Sequence, residues 1–140
     1  MRRSKLREHI FKMLFSYEFN SDSEMPQQIQ LYFEQMDEEE PTEKDMEYIR
    51  EKALKVILKA EELDSLLNVH AKGWKTGRMN KVDLSILRLA LYEMKWDEEI
   101  PESVAINEAV ELAKKYSGDE GPSFVNGILA KLAESRKGQP

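Results

Sequence analysis

From residue 81 to about residue 96, Val82, Ile86, Leu87, Leu89, Ala90, Leu91 and Met94 recur at helical spacing and cover well over half of a helix circumference. A helix at a protein surface shows one apolar stripe, whereas a helix apolar on most of its sides has to be enclosed by others. This segment therefore demands partner helices. Asn80 stands where a cap belongs, and Asp83 places an acid in the first turn, where the helix dipole favours it. Glu93 falls inside the apolar arc, so its carboxylate needs a hydrogen-bonded or cationic partner.

The remaining sequence supplies the partners. Leu6, Ile10, Met13, Leu14 and Tyr17 form a first stripe, with Ser4 as its expected cap. Polar residues 20–26 end it, and residues 26–36 form a short second helix. After an acidic loop at 37–41, Thr42 caps a helix carrying Met46, Ile49, Ala53, Val56, Ile57 and Ala60. Residues 64–70 read as a short helix with Leu66, Leu67 and Val69 turned inward. Gly73 and Gly77 mark a loop around Trp74. Pro101 and Ser103 open a further helix, and Pro122 suits the first turn of the last one. No segment alternates with period two, so the expected fold class is all-α. With 140 residues the chain suits one compact domain, 1–140, of two helical halves, 1–70 and 71–140.

Charge is unevenly distributed. The chain carries −6 overall, yet residues 1–15 carry +4 and residues 71–95 carry +4, separated by a stretch of −10. Arg2, Arg3, Lys5 and Arg7 gather where the first helix begins, with Glu8 the only early acid. That placement opposes the helix dipole, and the simplest reason for it is a bound anion. Two basic islands in an acidic chain suit a local phosphate site, RNA or DNA, rather than a coat for bulk nucleic acid. Phe11, Phe15 and Tyr17 lie close by, and aromatics beside arginines can stack bases. A solubilising, disordered start is the plain alternative. Lys72, Lys75, Arg78 and Lys81 around Trp74 form a secondary basic patch, read first as a charged loop before a core helix with Trp74 packed inward.

Several function classes find no support. There is no cysteine, hence no disulfide or thiol chemistry. No apolar stretch approaches the ~20 residues of a membrane helix, and the basic start lacks a signal-peptide apolar core. A cytoplasmic protein is expected. His9 and His70 are far apart, no spacing resembles a metal site, and six glycines form neither a Walker loop nor a dinucleotide fingerprint. The carboxylates at 37–40 and 97–99 occur as runs, which read as solvated surface. No metal, no cofactor and no catalytic site are expected.

The C-terminal half carries a more specific pattern. Residues 74–93 read W-K-T-G-R-M-N-K-V-D-L-S-I-L-R-L-A-L-Y-E, followed by Ile100-Pro101, then V-A-I-N-E-A-V-E-L-A-K over 104–114 and F-V-N-G-I-L over 124–129. These blocks, in this order after a basic first helix, closely resemble the transcription antitermination factor NusB family. The resemblance implies two small helical bundles and binding to the single-stranded boxA RNA of nascent ribosomal RNA transcripts. It implies NusE, ribosomal protein S-ten of the small subunit, as partner, and recruitment to RNA polymerase through other Nus factors. Carried onto this chain, it makes Arg2, Arg3, Lys5, Arg7 and Phe15 RNA contacts and places Asp119 and Glu120 at the RNA or partner surface. Asp83, Arg88, Glu93 and Asn126 would organise buried polar contacts, and Gly127 would permit close helix packing. The chain departs from the family pattern at Ser123, often Lys, and at Ala130, often Asp. Four phosphate contacts would give a log K against log salt slope of about −3 on a single strand.

Two rivals accompany this reading. One is a helical interaction module that masks its RNA face by forming a homodimer. The other is an accessory domain like the N-terminal module of some ribosomal RNA methyltransferases. No Rossmann-type cofactor domain accompanies it in these 140 residues, so catalysis alone is not expected.

Overall fold

The structure, a computed structural model, describes residues 1–36, 41–70 and 75–137, with side chains to residue 134. The acidic residues 37–40, Lys72, Gly73 and Trp74 lie outside the described residues. Seven α-helices occur among the described residues and no strand. They are α1 (Arg3–Tyr17), α2 (Met25–Glu34), α3 (Glu43–Leu58), α4 (Ala60–His70), α5 (Lys81–Trp96), α6 (Glu102–Tyr116) and α7 (Gly121–Lys137). The chain divides into two compact units, Met1–Leu58 and Lys59–Pro140.

In the first unit α1 packs on α2 and α3. Its core comprises Leu6, Ile10, Phe11, Met13 and Leu14 of α1, Met25 and Ile29 of α2, and Ile49, Ala53, Val56 and Ile57 of α3. The start of α3 is fixed by a reciprocal cap. The Asp45 N–H donates to Thr42 Oγ1 at 3.0 Å, and the Thr42 N–H donates to Asp45 Oδ2 at 3.3 Å. Polar side chains close the α1–α2 seam, where His9 Nδ1 and the Tyr32 hydroxyl lie 2.5 Å apart. Ser4 does not cap α1. The helix begins one residue before it, because the Lys5 and Leu6 N–H groups both reach the Arg2 carbonyl at 3.0 Å.

In the second unit α5 is the central element, touching α4, α6 and α7. Eleven of its sixteen residues are buried, as its wide apolar arc requires. Asn80 caps it, its Oδ1 accepting from the Val82 N–H at 2.7 Å. The inward face of α6 is built from Leu112 and from Ala105, Ala109 and Ala113, whose small side chains suit close packing on its neighbours. Val125, Ile128, Leu129 and Leu132 complete the core from α7. α4 starts at Ala60, earlier than the sequence pattern, and buries Leu63 and Leu67; Val69, expected inside, is 73% exposed.

Candidate nucleic-acid interface

The basic start of the chain is held in place before it meets any ligand. The Met1 ammonium lies 3.2 Å from Asp45 Oδ2, at the capped start of α3. Burial pushes the Asp45 carboxyl up. Hydrogen bonds from the ammonium and from Thr42, with the charge of the ammonium, outweigh that and hold its pKa below the ordinary aspartate value. Arg2 then occupies the cap position of α1 and Arg3 its first residue, and both are exposed. No side chain caps this terminus and no acid occupies its first turn. Positive side chains and the positive end of the helix dipole therefore converge on one spot, an arrangement that favours an anion.

Lys5 follows, half-buried. Arg7 does not join the exposed cluster. It is only 5% exposed, because it sits one turn before Ile10 and Phe11 and two turns before Leu14, on the stripe that faces the core. Phe11 is buried with that stripe, which removes it from the aromatics available to a base. Phe15 is half-buried and makes an edge-to-face contact with Phe19, centroids 5.3 Å apart at 69°. Phe19 was not among the expected residues, although its spacing of seven from Lys12 and fourteen from Lys5 is legible in the sequence.

The other candidate residues belong to the second unit. Asp119 and Glu120 are exposed in the turn between α6 and α7. That turn is fastened to α5 by the Ser117 hydroxyl, which donates to Asp83 Oδ1 at 2.5 Å. Gly121 packs so tightly that a Cβ there would collide with the Ser117 side chain. Lys75, Arg78 and Lys81 are exposed around a 3-10 turn, Thr76–Arg78, whose Thr76 N–H donates to Asn68 Oδ1 at 2.7 Å. Lys72 and Trp74 of the expected patch fall outside the described residues.

Three of the four residues expected to organise buried polar contacts do sit in the interior. Asp83 takes the Ser117 hydroxyl. Arg88 forks onto Asp64, its Nε at 2.8 Å and Nη2 at 2.7 Å from the two carboxylate oxygens. Glu93 is 1% exposed. Asn126 is instead exposed, and a Cβ at Gly127 would meet open space, so the close-packing glycine is Gly121. No group of three or more His, Asp or Glu among the described residues could hold a metal ion, and none of their helices is long and apolar enough to cross a membrane.

Comparison with known proteins agrees with this architecture. A model of the NusB family matches residues 4–134. The transcription antitermination protein NusB of Agathobacter rectalis is 52% identical over 133 residues, covering 95% of this chain and all of that protein. The solved T. maritima NusB superposes with a TM-score of 0.83 at 34% identity, covering 96% of this chain and 92% of its own. A solved complex described as antitermination factors NusB and NusE with double-stranded RNA shares the fold, with a TM-score of 0.75 at 21% identity over 96% of this chain and 99% of that one. A basic, uncapped first helix, an enclosed fifth helix and a match spanning nearly the whole sequence lead to one conclusion: the chain belongs to the NusB family.

Proposed function

We propose that this chain is a non-enzymatic transcription antitermination factor that binds single-stranded, boxA-type RNA of ribosomal RNA transcripts together with NusE. It would reach RNA polymerase through other Nus factors. The observation that carries the reading is the start of α1, where exposed Arg2 and Arg3 surround an uncapped helix N-terminus in a chain of net charge −6. The relatives' names supply the process, and a solved complex of the same fold is described as NusB and NusE with double-stranded RNA.

Arg2, Arg3 and Lys5 neutralise phosphates, which positions the strand without reading its sequence. Phe15 stacks on a base, which requires that base to be unpaired and so favours a single strand over a duplex. Asp119 and Glu120 repel phosphate but accept hydrogen bonds from the amino groups of bases, which suits them to base-edge contacts. The protein acts as a binding adaptor. Its two histidines lie one in each unit, and the acids of the α6–α7 turn are exposed.

With Arg7 buried, three cations remain at this end, so the expected log K against log salt slope is about −2. The test is titration of a boxA-like single strand and a scrambled control, with and without NusE, at two salt concentrations. Selective binding strengthened by NusE supports the reading. Weak, equal and purely salt-driven binding to both strands overturns it.

A further inference from the structure

Five large apolar side chains are notably exposed among the described residues, and Phe19 is the one aromatic among them, at 68%. Its backbone lies in a hydrogen-bonded turn. Its N–H donates to the Ser16 carbonyl at 3.0 Å. The next residue locks the same turn: the Asn20 N–H donates to the Tyr17 carbonyl at 3.3 Å, and its side-chain amide donates to the Ser16 carbonyl at 2.9 Å and to Ser16 Oγ at 3.2 Å. An edge-to-face contact with Phe15 fixes the ring further and covers at most one of its two faces. An aromatic face left in water offers a surface on which a second flat group can stack.

The register of α1 suggests that group. Lys5, Lys12 and Phe19 are spaced by seven, and such a series drifts only about 20° per step around a helix. The three therefore form one line along α1 and its closing turn, about 21 Å long at 1.5 Å per residue. Phe15 lies beside the line, one turn before Phe19. The line starts next to Arg2 and Arg3, and both lysines on it are partly solvated. Leu58 and Val69 are exposed as fully as Phe19, but offer no π face.

Resting on the RNA-binding reading above, we propose that Phe19 is a second base-stacking platform, ending a track on which Lys5 and Lys12 accompany the backbone of an unpaired RNA strand. Cations in line with an aromatic face are the pattern of single-strand grooves, in which each base offers a π surface whatever its identity. The platform therefore adds affinity and sets the length of strand engaged, not its sequence.

The test uses the full chain and a fluorescently labelled boxA-like single strand across a salt series. Phe19→Ala is expected to weaken binding about tenfold with an unchanged salt slope, since stacking releases no counterions. Phe19→Trp is expected to restore affinity and to change its indole fluorescence on RNA addition, relative to the parent. Phe19→Leu, equally apolar but without a π face, is expected not to restore it. On this track Lys12 makes a fourth phosphate contact, which takes the parent slope to about −3, and Lys12→Ala is expected to return it to about −2. Parent binding with Phe19→Ala equal to it within about twofold overturns the platform and leaves the RNA-binding function standing. Failure of the parent to bind the strand at all overturns both. A defect of Phe19→Ala confined to binding of NusE overturns the platform and assigns the ring to a protein surface. The ring is exposed, so thermal denaturation is expected to show all Phe19 variants folded.

Discussion

At the scale of single residues, the buried polar pairs make the sharpest predictions. Asp64→Ala strips the fork from a guanidinium that is almost wholly enclosed, and urea denaturation is expected to show a loss of about 2–4 kcal/mol. Asp45 makes a pH prediction. Its folded pKa is depressed, so its stabilising effect is fully present above the ordinary value of 3.8 and is lost as pH falls through the lower folded value. The stability difference between the parent and Asp45→Asn should therefore shrink below about pH 3.8, which acid titration of both proteins would show. The sequence announced that Glu93 needed a partner, because a charge inside an apolar arc is visible on a helical wheel; Asp83 read as the acid of the first turn, and the interior place of Arg88 came only with the family resemblance. It did not announce the partners, since Asp64 is 24 residues from Arg88 and Ser117 is 34 residues from Asp83. Arg7 was legible in principle. Its phase matches Ile10, Phe11 and Leu14, but a run of basic residues reads as solvated surface until phase is given priority. Arg7→Ala is accordingly expected to lower stability while leaving the salt slope of RNA binding near its parent value.

At the scale of elements, two glycines of α7 separate packing from propensity. Gly121→Ala must displace the Ser117 side chain that reaches Asp83, and is expected to cost about 1–3 kcal/mol. Gly127→Ala puts a methyl group into open space on a helix, and is expected to stabilise by about 0.5–1 kcal/mol. Thermal melts of the two variants should move in opposite directions. α5 was readable almost to the residue because its apolar arc is long and its cap is a single unambiguous asparagine. α4 was harder. A short stripe fits a helix in more than one rotation, and Leu63, before the expected start, took the inward place that Val69 was given. The first helix misled through its cap: Ser4 is the better capping type, but the chain's backbone carbonyl at Arg2 already serves the first turn.

Across the whole molecule, stability should be unequally spread. α5 buries eleven side chains and α2 only Met25 and Ile29. Hydrogen exchange is expected to show α5 amides opening only with global unfolding and α2 amides through local fluctuation. The net charge of −6 disfavours bulk polyanions, and exposed cations gather locally, at the start of α1 and around the Thr76–Arg78 turn. On the proposed reading, the start of α1 also couples folding to function. An uncapped helix terminus surrounded by arginines is poorly stabilised alone, and an anion that binds only the folded form raises stability by mass action. Selection of variants for heat resistance, without RNA present, would favour an acid or a capping residue at position 2 or 3. Each step up in melting temperature would then erode the phosphate site, and the hardiest descendants would be the ones that no longer hold a transcript.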